Sequence, residues 1–465
     1  MRSSFQSFRL SGLLFIGFAV LFLLGCKKQT AVEELQSPQV QKSDKPGHLK
    51  QTKTFSSEVP IKWLQMLLRV NQVPPGTPAG DPARILSYGG VALYEAVVNG
   101  MPSYQTLSGQ LNEFPVMPQT TPGLAYHWAA SANAAFAYIA KSLLPNASAL
   151  NKGSMDSLEN ALNTDFTNEV GTEEVQRSID FGREVARRVF EWSKTDGSLT
   201  VRPTYVPPVG TGLWAPTPPN FPAAVNPYLG LNRLMVAGSN DGASQPPPVY
   251  STAPGSAYYA MVKEVYDISQ SLDAQQRQIA LYHREGAVVN GGSYGSGASI
   301  AGQLAAVFTA ANASLDVAAE AFAKVGIGSY DGLTVTFRQK YEFLVMRPIT
   351  YIRANIDPLW NTVYGTPLYP EYPAGHPTNG GILAAMLSSV FGENFSFDVD
   401  YYGTASWPGN GLNKRHYNSF EELAQEMAIA RVYAGIHYKP AVYAGVAIGK
   451  KVAQNILSMV KFLKE

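Results

Sequence analysis

From Ile61 the chain repeats apolar residues at mixed three- and four-residue spacings. Ile61, Trp63, Leu64, Met66, Leu67 and Val70 follow the pattern of a deeply buried helix. Asp81-Pro82 is a start signal for a second helix, running through Ile85 and Leu86 to Val97, because proline fits the first helical position. An alanine-rich third helix is predicted over 125–144 and a fourth over 173–193, which makes 59–197 a helical bundle. Residues 198–256 break the pattern. Pro207-Pro208, Pro216, Pro218-Pro219 and Pro246-Pro247-Pro248 cannot continue a helix, and Tyr205, Trp214, Phe221 and Tyr228 among them predict an ordered coil wrapped over the surface. Helical periodicity resumes over 256–269, 274–284, 298–325, 336–346, 381–391, 419–434 and 440–463, giving a second bundle within 257–465. With no clear strand alternation, the expected fold is all-α, two packed helical bundles.

The start of the chain carries a different pattern. Arg2 and Arg9 precede an apolar run, 13–24, too short to span a membrane comfortably, and residues 1–25 read as a signal peptide. Leu23-Leu24-Gly25-Cys26 resembles the lipobox of bacterial lipoproteins, which implies cleavage before Cys26 and lipidation of its sulfur. Acyl chains contribute about 0.8 kcal/mol per buried CH₂, enough for several to hold a protein on a membrane. Localisation in the cell envelope follows, through the lipid anchor alone, with the outer membrane favoured because Lys27 stands where an aspartate would signal inner-membrane retention. Residues 26–58, polar and without apolar periodicity, are expected to be a disordered tether. Cys26 is the one cysteine, so a disulfide within the chain is excluded. A net charge of +1 without a basic block excludes nucleic acid as an expected partner and leaves anion binding to local clusters.

Three segments of the second half place such clusters. In the first, Lys340 and Arg347 are seven residues apart on a predicted helix that Pro348 ends. On one helix, seven residues turn by about 700°, leaving both cations within about 20° of one face. An arginine fork and a lysine point charge suit a tetrahedral oxyanion. In the second, Tyr369-Pro370-Glu371-Tyr372-Pro373-Ala374-Gly375-His376-Pro377, the proline opens a helix and puts Gly375 and His376 at an N-terminus, where unpaired N–H groups meet anions. In the third, Arg431 and His437 would lie about 120° apart on a continuous helix. Gly435 and Pro440 predict instead an end and a new start, with His437 on the connection, free to share a pocket with Arg431. Each segment alone is weak, since such residues commonly face solvent or serve structure.

Together they resemble the three-part signature of the vanadium haloperoxidase and type 2 phosphatidic acid phosphatase superfamily: K-x6-RP, PSGH, and SR-x5-H-x3-D. Lys340, Arg347 and Pro348 match the first part. Pro373, Gly375 and His376 match the second, with Ala374 for serine. Arg431 and His437 match the third, with Ala430 for serine and Ala441 for aspartate. Fainter likeness through Tyr351-Ile352-Arg353 and Ala92-Leu93-Tyr94-Glu95-Ala96 points to the larger, bacterial haloperoxidase-like branch. The resemblance implies a vanadate cofactor bonded to His437, which in phosphatase relatives is the nucleophile. It implies His376 as acid or base, and Lys340, Arg347, Arg431 and the Gly375 N–H on the equatorial oxygens.

The departures bear on activity. Ala374 lacks a hydroxyl donor, costing about 1–3 kcal/mol if an oxygen goes unpaired. Ala441 lacks the carboxylate that would orient His437. Because a nucleophilic histidine needs that carboxylate most, the expectation is a vanadate-dependent haloperoxidase acting on bromide or iodide with hydrogen peroxide and a small organic acceptor. A phosphomonoester phosphatase and a non-catalytic oxyanion-binding lipoprotein stay open. The remaining histidines read otherwise: His48 sits in the tether, His127 and His283 are structural, and His416, beside Arg415, is either structural or at the pocket edge. Trp360, Tyr372 and Tyr433 are either core or pocket lining.

Overall fold

A computed structural model describes residues 49–70, 72–73, 82–284, 288–289, 292–294, 298–400 and 414–464, all within one unit, His48–Glu465. The apolar run 13–24, Cys26 and the tether as far as His48 lie outside the described residues. The tether's expected end at residue 58 is corrected. Lys50 O accepts Trp128 Nε1 at 2.7 Å, Thr52 is buried with its hydroxyl on Val97 O at 2.8 Å, and Phe55 O accepts Leu315 N at 2.8 Å. Polar composition hid a segment that completes the backbone hydrogen bonds of its neighbours.

The fold is all-α. Its helices are α1 (Glu58–Val70), α2 (Pro82–Val97), α3 (Trp128–Leu143), α4 (Ala149–Val170), α5 (Thr172–Ser193), α6 (Ala257–Gln270), α7 (Ala274–Tyr282), α8 (Ala298–Ala310), α9 (Leu315–Phe343), α10 (Pro348–Asn355), α11 (Gly375–Phe391), α12 (Phe420–Tyr433) and α13 (Lys439–Met459). Short strands also occur: β1 (Gln72–Val73), β2 (Val288–Val289), β3 (Gly292–Tyr294), β4 (Phe397–Val399) and β5 (Arg415–Tyr417), with β4 antiparallel to β5. Sequence periodicity does not register strands this short.

Two helices differ from the sequence expectation. The polar α4 has only Met155, Glu159, Leu162 and Phe166 buried, a stripe too thin to register as periodicity. The expected pair 298–325 and 336–346 is in fact α8, a turn at Asn312, and one long α9. The stretch 326–335, left outside the predicted helices, holds Gly326 and Gly332. Their role is close approach: a Cβ at 326 would lie 3.0 Å from Leu86 O on α2, and one at 332 would lie 2.4 Å from Ile382 on α11. Nearly every residue of α9 is buried, as befits a helix packed on all sides. The main core runs through both halves of the sequence, from Trp63, Tyr88 and Phe136 to Phe322, Leu383 and Ile456.

The segment 198–256 is an ordered coil bound to α9. Trp214 N donates to Leu344 O at 2.6 Å, Arg338 Nε to Gly230 O at 2.9 Å, and buried Asp331 accepts Met235 N, Val236 N and the Ser239 hydroxyl. This coil stops α9 early. Leu344 turns left-handed (φ 49°), Val345 bridges to Leu213, and Arg347 caps α10, whose first residue is Pro348. Lys340 and Arg347 therefore do not share a helix face. The chain bends between them, and Pro348 starts a helix where the sequence suggested an end.

Candidate active site

Four elements meet behind this bend: the end of α9, the N-cap of α10, the turn into α11, and the connection from α12 to α13. That turn is fixed by α13. Ala374 N donates to Ala441 O at 3.1 Å. A Cβ on Gly445 would lie 2.3 Å from Ala374 O, and one on Gly449 would lie 2.1 Å from Thr378 O. Only glycine permits backbone to approach so closely. The α12–α13 connection opens at Gly435 (φ 76°) and closes at Pro440 in the first turn of α13, placing His437 between them.

The six pocket residues proposed from sequence, Lys340, Arg347, Gly375, His376, Arg431 and His437, are all buried. Burial first, then the charges of Arg347, Lys340, Arg431 and His376, pushes the His437 imidazole well below its usual pKa. Burial likewise lowers Lys340 strongly, with Arg347 and Arg431 adding to it, and brings Arg347 down to about 10. Lys340 Nζ donates to Pro370 O and Glu371 O at 2.9 and 3.0 Å, leaving one of its three hydrogens. Arg347 Nε and Nη2 hold Tyr369 O at 3.0 and 2.8 Å, and Nη1 holds Ile436 O at 2.8 Å and contacts His437 Nε2 at 3.2 Å. Both cations lie near the Tyr369 ring, at 4.9 and 5.2 Å from its centre. Arg431 Nη1 donates to His283 O at 2.6 Å and to the Tyr364 hydroxyl at 2.9 Å.

Glu371 is the residue that sequence reasoning missed. Its Oε1 lies 2.8 Å from His437 Nδ1 and accepts Tyr438 N at 2.9 Å. Arginine can only donate, so the Arg347 contact makes His437 Nε2 an acceptor, and Nδ1 carries the hydrogen that Glu371 receives. This tautomer presents the Nε2 lone pair, the one a metal needs. Burial pushes the Glu371 carboxyl up to about 7, against the pull of Arg347, the Tyr438 N–H and Lys340. Ala441 therefore does not leave His437 without a carboxylate, as the sequence suggested. The acid comes from the other side, out of the Tyr369–Ala374 segment itself, and no periodicity signals that reach.

The arrangement fits an oxyanion. Arg431 Nε is buried without a hydrogen-bond partner. The first-turn N–H groups of α11 have no acceptors within the helix, and the N-cap Ala374 brings no side-chain oxygen to them. Vanadate would find three cations, a helix N-terminus and one imidazole lone pair. Of the other candidates, Cys26 lies outside the described residues. His416 is exposed, with Nδ1 2.9 Å from Asp398 Oδ1. His127 caps α3. Trp360 and Tyr372 are buried core residues. His283, read as structural, also meets His376 edge to face, with ring centres 5.8 Å apart.

Comparison with known proteins gives the same picture. The family model of the "VCPO second helical-bundle domain" matches residues 320–465, which contain all six pocket residues. The vanadium chloroperoxidase of Curvularia inaequalis is 25% identical over 26% of this chain and 27% of its own length. The vanadium-dependent bromoperoxidase of Corallina officinalis is 32% identical over 20% and 16%. The chain thus spans about a quarter and a sixth of these curated relatives. A crystal structure described as the first bacterial vanadium-dependent iodoperoxidase superposes with a TM-score of 0.78 at 27% identity, covering 88% of this chain and 98% of that one. The apo form of a bacterial vanadium-dependent chloroperoxidase shares the fold, with a TM-score of 0.61 at 14% identity over 83% and 96%. With a family model across the whole pocket and a shared fold along most of its length, this chain belongs to the vanadium haloperoxidase superfamily.

Proposed function

We propose that this protein is a vanadate-dependent haloperoxidase that uses hydrogen peroxide to oxidise iodide or bromide for transfer to a small organic acceptor. The observation that carries the reading is His437: a buried imidazole whose pKa is held down, its Nδ1–H held by Glu371 and its Nε2 3.2 Å from Arg347, with the charges of Lys340 and Arg431 also acting on it. Bound vanadate would act as a Lewis acid on peroxide. The chain's own contribution is to bind and orient. Lys340, Arg347 and Arg431 would balance the oxyanion's charge, the Gly375 N–H would add a donor, and His437 would offer its Nε2 lone pair. His376, at the α11 N-terminus, would take or return the peroxide proton. The similarity to the iodoperoxidase favours iodide as the first substrate to try. Lipidation at Cys26 would place this chemistry on the envelope, outside the cytoplasm.

Glu371 also favours a second reading. Phosphoryl transfer through a histidine nucleophile needs a carboxylate behind it, and Glu371 provides one despite Ala441. A phosphomonoesterase on the same pocket is the alternative, and a silent oxyanion-binding lipoprotein is the third possibility. The deciding experiment is iodide and bromide oxidation by the vanadate-reconstituted protein, with His437→Ala alongside. Peroxide-dependent oxidation that needs vanadate and vanishes in the variant supports the first reading. Phosphomonoester hydrolysis inhibited by vanadate, without halide oxidation, replaces it with the second.

A further inference from the structure

His283 lies far from the pocket segments in sequence, yet it touches two of the pocket residues. Its ring meets His376, and its carbonyl accepts Arg431 Nη1 at 2.6 Å. The ring is fixed from behind: Nε2 lies 3.0 Å from Glu426 Oε1. Glu426 is held in turn by two nitrogens of Arg415, with Nε at 2.8 Å, and by the Tyr417 hydroxyl at 2.7 Å. Burial would raise this carboxyl, but the hydrogen bonds from His283, Arg415 and Tyr417 outweigh it and hold it at about 2. Glu426 is thus a fixed anion, which selects the Nε2–H tautomer of His283. Burial, aided by the charge of His376, lowers His283 to about 4, so the ring is neutral, and its Nδ1 is buried without a hydrogen-bond partner.

This chain of contacts runs from β5 through α12 to the end of α7 and back to Arg431, on the same helix as Glu426. Arg431 has one guanidinium nitrogen tied to His283 O and the Tyr364 hydroxyl, while its Nε lacks a protein acceptor. We propose that His283, braced by Glu426, is a positioning residue of the oxyanion pocket, holding Arg431 in place and backing the His376 ring. The inference rests on the pocket being an oxyanion site, as read above, and not on which reaction occurs there. Outer partners of this kind typically change affinity by about 10–100-fold when removed.

The test is the affinity of the full protein for orthovanadate and inorganic phosphate, by titration calorimetry, with thermal melting alongside. His283→Phe keeps ring and carbonyl but loses both nitrogens, and should weaken both anions by about tenfold. In His283→Gln the amide nitrogen can replace Nε2 as donor to Glu426, and most of the affinity should return. Parent-like affinity in His283→Phe overturns the proposal, as does a His283→Gln that melts like the parent but binds as weakly as His283→Phe. If His283→Phe does not fold, Glu426→Gln takes its place: weaker binding supports the brace and parent-like binding refutes it. A parent that binds both anions but oxidises no halide sinks the haloperoxidase reading, and the affinity ratio still decides this one.

Discussion

His437 Nδ1 stands 2.8 Å from Glu371 Oε1, with both side chains buried and the two residues 66 positions apart in sequence. The carboxylate that the third signature segment lacks at Ala441 is thereby supplied across the pocket. Glu371 also accepts the Tyr438 N–H, while its own carbonyl holds Lys340. One residue thus sets the imidazole's tautomer, the turn that carries it, and the position of a neighbouring cation.

Glu371→Ala is therefore expected to weaken vanadate binding by about 10–100-fold, measured by equilibrium dialysis. It should also cost about 1–3 kcal/mol of stability, because the Tyr438 N–H and His437 Nδ1–H lose a buried acceptor. Glu371→Gln, which keeps an oxygen but not the charge, should fall between the two. Unchanged vanadate affinity in Glu371→Ala would mean that His437 is oriented by something else.

Much of this pocket was legible in sequence, because the binding groups sit at chain punctuation. Gly435 and Pro440 put His437 on a connection, and Pro377 put Gly375 and His376 at a helix start. The bend between Lys340 and Arg347 was not legible. It depends on Trp214 and Leu213, which reach Leu344 and Val345 from a distant coil. Glu371 and His283 escaped for a related reason: their partners are long-range, and neither spacing nor periodicity encodes a contact between unrelated segments. The fold was read correctly in class, but 326–335 was left outside the predicted helices, and its Gly326 and Gly332 are points of contact between helices.

Asp331 makes stability depend on pH. It anchors the coil to α9 through Met235 N at 2.6 Å, Val236 N at 3.0 Å and the Ser239 hydroxyl at 2.8 Å. Burial raises its pKa from 3.8 to about 7 despite these donors. The folded protein thus keeps a proton here that the unfolded chain releases. The resulting stabilisation is full below 3.8 and disappears as the pH rises through about 7. Asp331→Asn, which cannot titrate, should melt below the parent at pH 4, and the gap should narrow by pH 8. A gap that widens instead would contradict the raised pKa.

Gly445 transmits packing to the pocket. Its missing side chain lets α13 touch the backbone at Ala374, the residue that caps α11. Gly445→Ala would put a methyl group 2.3 Å from Ala374 O, and the atom in the way is backbone, which cannot swing aside. A loss of about 1–3 kcal/mol is expected from overpacking, read as a lower urea midpoint. Weaker vanadate binding should accompany it, because the Gly375 N–H is displaced. A variant that loses stability but keeps its affinity would show that the turn is held from α9 instead.

Ala374→Ser tests the other departure from the signature, and here a gain is expected. Ala374 is the N-cap of α11, with extended backbone (φ −81°, ψ 121°) and no side chain to satisfy the first-turn N–H groups. Serine at such a position is worth about 0.5–2 kcal/mol over alanine when it caps the helix. In the pocket the same hydroxyl could instead donate to an oxyanion, recovering about 1–3 kcal/mol of binding. One hydroxyl cannot do both fully, so the two gains should trade. Without ligand, Ala374→Ser should melt above the parent. In a vanadate titration the main effect should be a lower Kd, by about 2- to 10-fold if half of that binding energy is recovered. No gain in either measurement would mean that the packing of α13 against Ala374 has closed the space a serine would need, and that the alanine is part of how this pocket is built.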